Sequence, residues 1–469
     1  MLPTVRYSPS LTSYRSQCLL EAVKGGHLHE LEQFVAVHDA DVNALVSFNA
    51  AKGEYEEPYM LDMTPLLCAV WFSQVEAMKM LLCHDSIQVN AANAHGTTPF
   101  SSACEDGDAV TTRLLLQHPG LDVNTSDIDG DTPLMMASQS GLTSVVGAIL
   151  RHIIDDVTID LNAQGQGGRS ALHNAAASGH LAIVKLLTAC ATIDINLDDD
   201  ECNTTLHHAA VAGHVEIVKH LLNVETIDVN RQDQYGHTPL FLASGQGHAS
   251  VVEVLMQHRA IDVNVANYYR VTALAQVSYD MRATVVEQLL TSPAIDINLP
   301  NLGDVTPLQH AVNQRHLPIV LMLLNAQPLD RLVPKTMVVK TLHAAFKTSS
   351  KDLIRVILQS MGDINMQGEG GKSVLHLAAE EGLDDVLRTI LSYPNVEINQ
   401  KDELGNTALA LACQFGHVET VQVLLSQDRV DWNVINEQFD TPLIIATREG
   451  HNEIIAVLEQ HMHETTGDK

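Results

Sequence analysis

The sequence predicts an all-α solenoid of stacked short helix pairs, and three observations carry that prediction. One unit, Thr204 to Asn230 (TTLHHAAVAGHVEIVKHLLNVETIDVN), places Leu206, Ala209 and Ala210 at i, i+3 and i+4, a narrow apolar stripe on a first helix. Gly213 follows, where the backbone can turn left-handed without a Cβ penalty. A second helix then carries the bulkier Val215, Ile217, Val218, Leu221 and Leu222, and Ile227-Asp228-Val229-Asn230 closes the unit in extended form. The second observation is recurrence of this unit along nearly the whole chain. The third is that one such pair cannot bury its own apolar face and needs copies on both sides.

The register is explicit. The Thr of each Thr-Pro-Leu-like triplet stands at Thr64, Thr98, Thr132, Ser170, Thr204, Thr238, Thr272, Thr306, Thr407 and Thr441, most steps being 34 residues. The step from Thr132 to Ser170 is 38 residues, lengthened at Ile153 to Thr158, and Leu342 to Leu375 is a 33-residue step. Asn43, Asn90, Asn124, Asn162, Asn196, Asn230, Asn264, Asn298, Asn365, Asn399 and Asn433 mark the other end of the unit. With a divergent first copy near Cys18, the count is about 13 repeats.

The run Ser170-Ala171-Leu172-His173-Asn174-Ala175-Ala176-Ala177-Ser178-Gly179-His180 and the recurring Asp-Val/Ile-Asn resemble the ankyrin repeat family, from about Cys18 to Gln460. The resemblance implies a curved stack of antiparallel helix pairs with β-hairpin fingers projecting from one edge. It also implies binding of a partner protein on the concave face made by fingers and first helices, with no cofactor. A narrower implication is a secreted effector of an intracellular bacterium acting on a host protein. In this family the asparagine that ends the unit can be hydroxylated by an iron and 2-oxoglutarate oxygenase. Asn230, with Leu222 and Asp228-Val229 before it, matches that arrangement, although hydrogen bonding that fixes the turn is a sufficient role.

Composition narrows the partners. In this 469-residue chain 57 acidic residues against 27 basic give a net charge of −30, which disfavours nucleic acid and anionic lipid and favours basic partners or plain solubility. The seven cysteines, without any Cys-x-x-Cys pair, suit free thiols in a reducing compartment. No apolar run approaches the roughly 18–20 residues that cross a bilayer, and the first residues lack a signal-peptide core. The expectation is a cytoplasmic protein, monomeric, or one translocated into a host cytosol.

Taken in order, residues 1–16 read as a loose leader and 17–460 as the solenoid. A finger insertion at about 44–61, with Tyr55 and Tyr59, reads as a tolerated insertion or a binding loop. Trp71 and Phe72 occupy positions that the family leaves variable and polar. They either pack under that finger or anchor a partner. Tyr235, Tyr268, Tyr269 and Tyr279 stand at finger or first-helix positions, and the eighth repeat loses Gly-His, reading Ser278-Tyr279-Asp280-Met281-Arg282. Local repacking and a tyrosine-lined contact surface both explain these residues. Residues 266–366 diverge most. Pro328 and Pro334 suggest a joint near 327–340, and Arg331, Lys335, Lys340, Lys347, Lys351 and Arg355 reverse the local charge, as a solvated face or as a contact for an acidic partner. Phe415 and Phe439 also take variable positions, and 461–469 reads as a frayed tail.

The same register accounts for the residues that could carry catalytic or metal chemistry. Gly368 to Ser373 superficially resembles a phosphate loop, but the first glycine would fall on Met366. His173, His207, His343 and His376 occupy the Thr-Pro-Leu-His position, and His27, His180, His214, His248, His417 and His451 the Gly-His step, so these read as scaffold residues rather than ligands. No catalytic, cofactor or metal residue is assigned. Two competing classes are an enzyme or enzyme subunit with its site on repeats eight to ten, and an elastic spacer with no high-affinity partner.

Overall fold

The computed structural model describes residues 11–36, 41–49, 60–152, 159–326, 335–348 and 350–466. Two compact units emerge, Met1–Ala243 with Gln257–Ile261, and Ser244–Met256 with Asp262–Lys469. Among the described residues each is a succession of short helix pairs, and regular strand pairing is confined to Val46–Asn49 against Met60–Met63, antiparallel, and an isolated bridge between Ala266 and Thr272.

The first helices start where the triplet predicts. Thr98 caps Pro99–Asp106 by accepting the Ser101 N–H at 3.1 Å, and Pro99 at the first helical position has no N–H to leave unpaired. In the Thr204 unit, Leu206, Ala209 and Ala210 are fully buried in Thr205–Val211. In its second helix Ile217, Val218 and Leu221 are buried, whereas Val215 and Leu222 are only half-buried, because the apolar arc is narrower than the run of apolar residues. Ile227 and Val229 anchor the extended tail. Unit two repeats this plan, with Leu274, Val286, Leu409 and Leu424 inside.

Three side-chain ladders join neighbouring repeats. The terminal asparagine reaches forward: Asn196 Nδ2 donates to the Thr226 carbonyl at 2.7 Å while its Oδ1 accepts from Asp228 N at 2.9 Å. The same pair recurs at Asn162 in unit one and at Asn264 and Asn365 in unit two. The residue after the glycine reaches backward: His214 Nε2 donates to Ala177 O at 3.1 Å, and His417 to Glu380 O at 2.8 Å. Where histidine is missing another donor does the same, Gln74 to Lys24 O at 3.2 Å and Arg282 to Gln246 O at 3.0 Å. The eighth repeat therefore keeps the step although its sequence lacks Gly-His. Met281 adopts the left-handed φ of 59° that glycine takes elsewhere.

The third ladder is the capping histidine. Ser170 and Thr204 donate their backbone N–H to Nδ1 of His173 (3.1 Å) and His207 (3.0 Å), and the opposite nitrogens donate to Leu197 O and His237 O. His376 does likewise between Ser373 and Asn406 O. His343 departs from this pattern: the helix Lys335–Lys347 runs straight through its position, so there is no cap to complete, and its Nε2 faces Glu381 at 3.3 Å.

At the two ends, helix Leu11–Lys24 begins inside the stretch read as leader, and helix Asn452–Thr466 continues into the stretch read as frayed. Neither contains Pro or Gly, and buried Leu19, Leu20, Ile454 and Leu458 hold them to the stack. Residues 153–158, Pro328, Arg331, Pro334 and the finger residues Tyr55 and Tyr59 lie outside the described residues.

Candidate protein-interaction surfaces

Among the described residues, the fingers after the Val46–Asn49 and Met60–Met63 pair are closed polar turns. In unit two Asn267 Oδ1 accepts from Tyr269 N at 3.0 Å and Val271 N at 2.9 Å, and Asn267 N donates to Val271 O at 3.0 Å. The following finger is tied to it by Leu302 N donating to Tyr269 O at 3.1 Å. This network holds Tyr268 and Tyr269 outward, 65% and 64% exposed, with Leu302 beside them at 65%. Tyr279 is the last residue of helix Ala273–Tyr279, its ring edge-on at 5.6 Å to His310, whose Nε2 lies 3.3 Å from Asn301 Nδ2 of the following finger.

In unit one Tyr235 lies 5.7 Å from the His237 ring, which stacks on Phe241 at 4.5 Å. Asp233 organises this row, accepting from Tyr235 N and His237 N at 2.8 Å and pairing with His237 Nδ1 at 3.1 Å. Trp71 ends helix Pro65–Trp71 and Phe72 caps it, both half-buried, with the Lys24 ammonium 4.9 Å from the Phe72 ring centre.

The basic segment is partly compensated within the chain. Lys340 lies 3.6 Å from Asp304 and 3.8 Å from Glu369, Arg355 lies 3.7 Å from Asp352, and Lys347 is exposed. The side chains of Lys335 and Lys351 lie outside the described residues. The phosphate-loop lookalike is a finger turn, and its Lys372 is held by Glu380 at 2.7 Å. Asn230 has its Nδ2 on the Ala260 carbonyl at 2.7 Å, so the amide is part of the ladder between repeats.

Sequence reasoning missed several exposed apolar residues at finger tips, notably Ile128, Leu302 and Leu404. Their signal is a residue directly after the turn-forming Asx, or two after it, that is apolar where neighbouring repeats are polar. Among the described residues no His, Cys, Asp and Glu group could hold a metal ion, and no helix is long and apolar enough to cross a membrane.

Comparison with known proteins bears on this architecture. A family model for ankyrin repeats (three copies) matches residues 86–164, 102–199, 147–233, 172–267, 206–301 and 375–466. The crystal structure of the ankyrin repeat domain of Bcl-3, a unique member of the IkappaB protein family, is 26% identical, with a TM-score of 0.44 over 49% of this chain and 99% of that one. Comparison with curated proteins gives no match. The helix pairs, their ladders and the overlapping matches together place this chain in the ankyrin repeat family.

Proposed function

We propose that the chain is a non-catalytic scaffold that holds a partner protein on the face made by its fingers and first helices, the face that is concave in the family. Ankyrin repeats generally mediate protein–protein interaction, and the observation that carries the reading here is the outward display of Tyr268, Tyr269 and Leu302 on fingers fixed by their own hydrogen bonds. Large exposed apolar side chains on a pre-ordered backbone bind with little ordering cost. Trp71, Phe72, Tyr235 and Tyr279 are the further anchors of this reading, and Lys335, Lys340 and Lys347 its contacts to an acidic segment. Asn230 is proposed as an acceptor for hydroxylation. A mass gain of one oxygen on its peptide after incubation with an asparaginyl hydroxylase tests that point, and an unmodified peptide removes it.

The test is affinity capture from lysate with wild type, Trp71→Ala/Phe72→Ala and Tyr268→Ala/Tyr269→Ala, after circular dichroism has shown equal helicity. Loss of a specific partner from either variant supports the scaffold reading and locates its face. An identical captured set from all three makes these aromatics packing residues.

A further inference from the structure

Unit one contains a groove of about 390 Å³ between three successive fingers and two first helices. Four carboxylates, those of Asp131, Asp199, Asp200 and Glu201, line it against one cation, Arg169. Asp199 is already committed, accepting Glu201 N at 2.9 Å, Asn203 N at 2.8 Å and His208 Nε2 at 2.8 Å, and Glu201 Oε2 accepts a longer bond from Asn203 Nδ2 at 3.4 Å. Among the described residues the Asp131 carboxylate accepts one hydrogen bond, from Gln166 N at 3.1 Å, and burial with nearby Asp127 and Asp129 holds it above the usual range. Its charge is therefore unbalanced.

Glycines make the space. A Cβ on Gly165 would collide with Asp131 Oδ1, one on Gly168 would lie 2.5 Å from the Asp200 backbone, and one on Gly167 would meet nothing. The groove also holds a second, independent feature. Asn174, on helix Ala171–Ala177, is only 8% exposed, lines the groove, and makes no side-chain hydrogen bond among the described residues. The Asn174 amide is not one of the fully buried polar groups left without a partner, so it opens onto the groove and is available to a ligand.

We infer that this groove receives the arginine side chain of a partner protein, its guanidinium shared between Asp131, Asp200 or Glu201, and the Asn174 carbonyl oxygen. A guanidinium offers five donors in a planar fork and suits several acceptors at once, whereas an ammonium is a point charge. The charge of the walls repels phosphate and carboxylate ligands. The inference rests on the scaffold reading and adds to it the chemistry of one contact.

The probe is a fluorescein-labelled Gly-Arg-Arg-Gly peptide, followed by anisotropy on the full chain, beside the same peptide with citrulline in place of arginine. Asn174→Leu removes the carboxamide without changing charge, Asp131→Asn/Asp200→Asn removes two groove charges, and Glu253→Gln/Glu419→Gln removes two exposed charges in unit two. The expected result is binding of the arginine peptide, at least roughly tenfold weaker with citrulline, with Asn174→Leu or with the groove pair, and unchanged in the remote pair. Binding that is absent, or that falls equally in groove and remote pairs and is indifferent to Asn174→Leu, overturns the inference and leaves only general attraction to an acidic protein. The aromatic variants above test different residues, so this result and the scaffold result are separable.

Discussion

Acid should loosen this protein through its capping histidines, and the size of the effect can be worked from two of them. Burial pushes the His173 and His207 imidazoles down from an ordinary 6.5 to about 4. The geometry agrees: each Nδ1 faces a backbone N–H and must accept, so a proton added there meets a donor. The neutral ring is therefore the folded form. Because the folded value lies below the unfolded one, the stabilisation is complete above 6.5, declines as pH falls below it and is exhausted below about 4. Between about pH 7.5 and about pH 5, each histidine loses about 2 kcal/mol by linkage, so about 4 kcal/mol for the pair. The informative variant is His173→Gln/His207→Gln. Gln309 already takes this position in unit two, where its Oε1 accepts Thr306 N at 2.9 Å, so glutamine retains the cap without a titrating group. Urea unfolding followed by far-UV circular dichroism at the two pH values gives the comparison. The variant should be weaker at the higher pH, having lost the bonds to Leu197 O and His237 O, yet its loss on acidification should be smaller than wild type by about 4 kcal/mol. An equal acid loss in both proteins would refute the argument.

Three further outcomes follow from single features. Met281→Gly should raise stability by about 0.5–1 kcal/mol, net of glycine's unfolded-state entropy, read as a higher urea midpoint, because Met281 is half exposed and holds a φ of 59°; a lowered midpoint contradicts the strain argument. Asn196→Ala removes both links to the next repeat and should cost about 2 kcal/mol, read as faster hydrogen exchange at the Asp228 amide; unchanged exchange makes the ladder energetically idle. Toward a disulfide reagent Cys83 and Cys202, both exposed, should react in the native protein. Cys68 and Cys413, whose thiols burial pushes up to about 12, and fully buried Cys104 should react only on unfolding, and rapid native reaction of those three would contradict their burial.

The sequence by itself determined the repeat. Period, caps and small-residue first helices are local properties, so Thr98, Pro99, Leu206 and Ala209 announce their roles in any single copy. The purpose of the terminal asparagine and of the Gly-His step was not legible, because both act on a neighbouring repeat 30 to 50 residues away; only the stack reveals that Gln74, Arg282 and His214 perform one task. The tertiary structure likewise set the Tyr279 ring against His310, and gave Lys340 partners on both sides. It also assembled the Asp131, Asn174 and Asp200 groove from three repeats. Each of these depends on which side chains neighbouring copies bring face to face, and a pattern that repeats along the chain carries no record of where successive copies differ in space.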